Sequence, residues 1–243
     1  MIETIRNIAD EIKNDVINAR RDFHKYPELA YREFRTASLI ARKLKDTGCE
    51  IKIGREIMDA GSRQALPEEE ILHKEFARAI SQGGDKEFLR CVKSGFPAVA
   101  AIISNSEGPV IGVRIDIDAL PVHESSEKTH LPFKKGFASV NNGVMHACGH
   151  DANAATGLGI AQLLMRFKSK IAGTVKIIFQ PAEEGVCGAY PMVQSGFLDD
   201  IDRIFSPHYF SPWNPGEITC VRGRGYFATS KFDVIILVWF LKS

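Results

Sequence analysis

Cys148 and His150 stand one residue apart in MHACGHDAN, Asp151 follows at once, and an apolar run, AATGLGIAQLLM, comes next. A thiol, an imidazole and a carboxylate at the mouth of a helix admit three readings. They are ligands for a metal ion, a thiol nucleophile with its base, or polar residues that only cap the helix. Further along, QPAEEG sets Glu183 beside Glu184, and IDRIFSPH ends on His208. Thiolate, imidazole and carboxylate together suit Zn²⁺, a borderline-soft cation that accepts S, N and O donors. Cys148, His150, Glu184 and His208 make such a set. Of two adjacent glutamates, one can ligate while the other serves as base for a water. Asp116 and Asp118 in RIDIDALP share one face of an extended chain, and a carboxylate there can orient a ligating imidazole from behind.

Each piece alone has an ordinary explanation. A C-x-H pair is commonly a structural cysteine with a chance histidine, and AEEG reads as the acidic first turn of a helix. His208 can be a plain loop residue, and Asp118 a cap for the turn DALP. A Cys148–His150 nucleophile pair is disfavoured, because heads two residues apart rarely face each other and no third orienting group is evident. Placement raises the metal reading. VIGVRI runs into Asp116 and Asp118, TVKIIF into Glu183 and Glu184, and RIFS into His208. Ligands of open α/β sheets bind outside the carboxyl ends of strands, so these groups should converge on one crevice.

The elements that must carry them follow from periodicity. Ile5, Ile8, Ile12, Val16, Ala19 and Phe23 predict a helix over 3–24. Further helices are expected over 33–46, 67–82, 85–93 (capped by Asp85), 153–168 and 188–195. Strands are expected at 98–103, 110–115, 173–179 and 201–206, with SNSEGP reading as a hairpin turn between the first two. Strands alternating with helices give an α/β class whose sheet has parallel members.

Composition sets the outer bounds. The 243 residues are 44% hydrophobic and 25% charged with a formal charge of +1, an ordinary globular balance. No basic field is present of the kind that nucleic acid or an anionic membrane surface would require. Five scattered cysteines and an amphipathic, acid-bearing N-terminus indicate reduced thiols and a cytoplasmic location. The terminal run VIILVWFL is too short to span a bilayer.

RIDIDALP, MHACGHDAN, IIFQPAEEG and the PH at 207–208, in this order, resemble the aminoacylase and hippurate-hydrolase family of dinuclear metallopeptidases, which includes the indole-acetyl-amino-acid hydrolases. The resemblance runs from about Arg21 to Asp233. It implies a three-layer α/β sandwich around a mixed, mostly parallel sheet. Residues 1–228 would form the N-terminal part of the catalytic domain, with 54–97 as a helical insertion. It implies two Zn²⁺ or Mn²⁺ ions held by Cys148, His150, Glu184 and His208. Glu183 would be the general base that moves a proton from water to the leaving amine, and Asp116 the carboxylate behind the metal histidine. The implied reaction is hydrolysis of the amide bond of N-acyl amino acids. Segment 54–97 favours p-aminobenzoyl-glutamate as substrate, giving p-aminobenzoate and glutamate. Full-length members of the family form dimers or hetero-oligomers with a related subunit.

Two departures from the family pattern matter. Asn153 stands where members carry a histidine, and residues 229–243 open a lid or dimerisation domain but end aberrantly in LVWFLKS. A truncated chain of low activity, or an inactive metal-binding or partner-binding remnant, is therefore expected. His146 is expected behind the ligands. His123 and His130 are expected to be surface residues, and neither they nor His24 and His73 are assigned to the site.

Overall fold

The computed structural model describes residues 2–209, 214 and 216–218. Residues up to Tyr209 cluster as one unit; in the second, Phe210–Ser243, the described part is a turn in which Asn214 bonds the Glu217 carboxylate.

Helix α1 (Ile2–Lys25) buries Ile8, Ile12, Ala19 and Phe23 on one stripe, as the apolar spacing requires. It is followed by α2 (Phe34–Asp46), strand β1 (Glu50–Ile53), α3 (Glu69–Ser81) and α4 (Lys86–Val92). Asp85 caps α4 by accepting from the backbone N–H groups of Glu87 and Phe88. Then come β2 (Val99–Ser104), β3 (Val110–Asp116), α5 (Leu131–Lys134), α6 (His150–Arg166), β4 (Thr174–Gln180), α7 (Ala189–Gln194) and β5 (Arg203–Phe205).

The sheet runs β1-β2-β4-β3-β5, with β4 parallel to β3, β3 parallel to β5, and the β1–β2 and β2–β4 pairs antiparallel. Strands β2 and β3 therefore form no hairpin: β4 lies between them. The reason lies in what SNSEGP meets after folding. Asn105 turns onto the chain that enters β4, bonding the carbonyls of Ser169, Ile171 and Gly173, while Pro109 accepts from Thr174 N–H. The loop wraps the start of β4 instead of folding β3 back on β2.

Side-chain alternation splits the sheet between two cores. Val99, Ala101, Ile103, Ile115, Ile177 and Phe179 pack with α1, α2, α4 and α6. Ala100 and Ile178 face the opposite side, with Tyr31, Ile57, Met58, Phe96 and Met192 of α7. Helices thus cover both faces, the three-layer arrangement expected of this class. Gly157 lets α6 lie close on the sheet, since a Cβ there would stand 2.7 Å from the Phe179 ring. That seating aims the first turn of α6 at the carboxyl ends of β3 and β4.

Two differences at element ends bear on the site. Helix α6 starts at His150, three residues before its expected start, because Gly149 at φ +86° turns the chain into the helix and its carbonyl accepts from Ala152 and Asn153. The four-residue β1, not expected from the sequence, is too short to give a clear alternation. No described helix is long and apolar enough to cross a membrane.

Candidate metal centre

The loop after β3 is tied to its neighbours by two isolated bridges, Leu29 to Ala119 and Leu120 to Met145. The second sets Asp118 against the segment that carries Cys148 and His150. The loop after β4 brings Glu183 and Glu184 to the same end of the sheet, and the loop after β5 brings His208. Ligand atoms of Cys148, His150 and His208 all lie within 4.8 Å of one another, and so do those of His150, Glu183 and Glu184. His150 belongs to both groups.

Its ring is fully buried and its two nitrogens do different work. Nδ1 donates to the Asp118 carbonyl at 2.9 Å, with the Asp118 carboxylate at 3.3 Å. That bond assigns the proton to Nδ1 and leaves the Nε2 lone pair facing inward. Nε2 has Asp116 at 3.7 Å, Glu184 at 3.8 Å and Glu183 at 3.9 Å, all beyond a hydrogen bond. Cys148 Sγ lies 3.6 Å from His208 Nε2, whose Nδ1 bonds the Tyr209 carbonyl.

The carboxylates are themselves held. Asp116 accepts from Arg114 at 2.9 Å and from Asn153 at 2.6 Å. Asp118 accepts from Glu184 N–H at 2.9 Å. Asn153, the departure from the family pattern, thus acts through Asp116 and not on the ligands.

Three buried atoms at this point have no hydrogen-bond partner among the described residues: His150 Nε2, Asp118 Oδ1 and Glu184 Oε1. Buried polar atoms are normally satisfied, so a lone pair and two carboxylate oxygens left together form a gap in the bonding that a cation fills. Electrostatics point the same way. Burial opposes charge on His150, but the Asp118 bond and the carboxylates of Asp116 and Glu184 raise its pKa to about 9. Burial, then Glu184, pushes the Cys148 thiol to about 12. Burial also raises Glu183, against the pull of Arg114 and His150. Burial first, and then neighbouring carboxylates, favour the protonated forms of Cys148 and Glu183, while for His150 the carboxylates outweigh burial. The sulfur, nitrogen and oxygen donors therefore fit a divalent ion in both identity and charge.

The rival readings of the motif lose ground here. Gly149, not a polar side chain, is the N-cap of α6, and no side chain caps that helix. Cys148 Sγ meets His208 Nε2 and makes no hydrogen bond to His150 among the described residues.

Elsewhere the histidines divide. His123 is exposed, as expected. His130 is no solvated surface group: it bonds Glu124, whose side chain is only 5% exposed and also takes His24. His24 spans Glu124 and Asp151, and Arg20 joins the same Asp151 oxygen. His146 is buried behind the ligands, and neither ring nitrogen has a hydrogen bond among the described residues. Sequence reasoning passed over His24, Glu124 and Glu33; His24 reaches its partners 100 and 127 residues away and Glu33 reaches Ala182 149 away, separations that no local pattern signals.

The α/β layer fold thus brings a histidine shared between two candidate ligand groups to the carboxyl ends of its strands. Residues 112–230 match the sequence profile of peptidase family M20/M25/M40. It is 40% identical over 233 residues to a p-aminobenzoyl-glutamate hydrolase subunit from Escherichia coli (strain K12), covering 96% of this chain and 53% of that one. It is 41% identical over 217 residues to indole-3-acetyl-aspartic acid hydrolase of Enterobacter agglomerans, covering 89% and 50%. Among solved structures, a dinuclear metal binding peptidase of the family from Bacillus subtilis matches with a TM-score of 0.61 at 34% identity, over 82% of this chain and 44% of that one. The chain spans about half the length of the curated relatives it matches.

Proposed function

We propose that this chain carries the metal-holding part of an amidohydrolase that cleaves N-acyl amino acids, with p-aminobenzoyl-glutamate as its substrate. The observation that carries the reading is His150 Nε2, buried, without a partner among the described residues, and shared by two ligand groups. Cys148, His150, Glu184 and His208 would hold two divalent ions, Zn²⁺ or Mn²⁺. When bound, such ions polarise the scissile carbonyl and make water more acidic.

The rest falls to the chain's own residues. Glu183 is partly exposed, reaches the site beside Glu184, and has its affinity for protons raised by burial. It is suited to take a proton from the attacking water and give it to the leaving amine as the C–N bond breaks. Arg114, 3.9 Å from Glu183 and bonded to Asp116, keeps the base and the supporting carboxylate in register. Asp118 orients both His150 and the backbone of Glu184. The two curated relatives are named for substrates in which an acyl group is joined to an acidic amino acid, which supports that substrate class.

The test is ion content and turnover on the purified chain. Uptake of Zn²⁺ or Mn²⁺ that Cys148→Ala and Glu184→Ala each weaken, with release of p-aminobenzoate lost in Glu183→Ala, is the expected result. Ion uptake without any turnover supports the metal-binding remnant instead. A chain that takes up no ion contradicts both.

A further inference from the structure

Ala182 adopts φ +52°, a left-handed conformation unusual for a residue with a Cβ, directly before Glu183 and Glu184. Such a conformation persists only where its surroundings hold it. Its carbonyl accepts from Cys187 and Gly188, and its N–H is taken by Glu33 Oε1 at 2.7 Å, from 149 residues away.

Glu33 is the N-cap residue of α2, yet its side chain makes no cap bond there. Glu28 does that work, accepting from Arg35 and Thr36 N–H at 3.0 and 2.8 Å. Glu33 is thereby released from the helix it begins. It is fully buried, and its second oxygen has no hydrogen-bond partner among the described residues. A buried carboxyl spent on one distant backbone N–H has little to offer stability, since an apolar side chain would fill the same space without desolvation. What it does is fix the turn. Glu33 grips residue 182 while Asp118 grips the N–H of residue 184, so Glu183 is bracketed on both sides.

We infer that Glu33 is a positioning residue for the candidate centre, setting the left-handed turn at Ala182 that aims Glu183 and Glu184; this rests on the metal-dependent reading above. The reach of the side chain and its acceptor oxygen are what matter. Glu33→Gln keeps both, Glu33→Asp keeps the acceptor but withdraws it by one methylene, and Glu33→Leu removes it.

Co²⁺ affinity of the full 243-residue chain, measured by competition with a chelator, is the readout, with metal-free thermal unfolding recorded alongside. Loss of a supporting partner of this kind weakens metal binding by about 10- to 100-fold, the result expected for Glu33→Leu and Glu33→Asp, with Glu33→Gln within about threefold of the wild type. Should Glu33→Leu fail to fold, the Asp and Gln pair gives the same contrast. Wild-type affinity in Glu33→Asp, or a loss in Glu33→Gln equal to that in Glu33→Leu, overturns the inference while leaving the metal centre standing. A wild-type chain that binds no Co²⁺ overturns the metal reading itself.

Discussion

His150 and Asp151 are neighbours on one helix, and they serve opposite kinds of charge cluster. Asp151 points back to α1, where its Oδ2 takes Arg20 and His24 at 2.8 Å each, and His24 passes on to Glu124 at 2.8 Å. Arg20, His24 and His130 there face two carboxylates. His150 points forward to Asp116, Asp118, Glu183 and Glu184, with Arg114 beside them. The first cluster pairs its charges and staples α1 to α6, although Asp151 Oδ1 has no hydrogen bond among the described residues. The second is left with excess negative charge and three atoms without hydrogen bonds among the described residues. Residue types alone do not separate a staple from a site; the balance of charge does.

That contrast can be broken experimentally. The largest effect belongs to Glu183→Ala, which should lower turnover by about 10²- to 10⁴-fold while ion content stays as in the wild type. Loss of ion content in that variant would make Glu183 a ligand instead. Next, Asp151→Ala leaves His24 and Arg20 facing a vacated buried position and should lower unfolding stability by about 3 kcal/mol, read by denaturant titration. A stability change below about 1 kcal/mol would place this cluster with ordinary surface pairs.

The staple also has a pH signature. Burial opposes charge on His24, but the bonds to Asp151 and Glu124 outweigh it and raise its pKa above 6.5. A raised histidine stabilises fully below 6.5, its unfolded value, and that share is lost as pH climbs through the higher folded value. Burial likewise opposes ionisation of Glu124 and Asp151; hydrogen bonds from Ser139 and His24 to the former, and from His24 to the latter, win and hold both low. Their share is present above the ordinary carboxylate range and is lost on acidification. Thermal unfolding across pH should therefore show a maximum between the two limbs, and His24→Gln should flatten the alkaline one. An unchanged alkaline limb in that variant would remove His24 from the account.

The smallest effect sharpens the comparison by lying outside both clusters. Asp85→Ala removes the α4 cap and should lower stability by about 1 kcal/mol with ion binding untouched.

Much of this was legible in the chain itself. Glu184 and His208 follow strand ends, which are visible as apolar runs, and Cys148 and His150 stand at the start of α6. The helices α1, α2 and α4 were readable from apolar spacing and from Asp85. What stayed hidden depends on partners distant in sequence. SNSEGP has the composition of a hairpin turn, and nothing local says that β4, more than sixty residues on, inserts between β2 and β3. The same holds for His24, which meets Glu124 and Asp151 only after folding, and for Glu33, whose place before α2 suggests a cap and not a brace for Ala182.

The most direct test of the central claim is anomalous diffraction from crystals of this chain grown with Zn²⁺. The account predicts density bonded to Cys148 Sγ or His150 Nε2, with Glu184 and His208 completing the ligands. Zinc bound elsewhere, or none with these side chains in place, would contradict it.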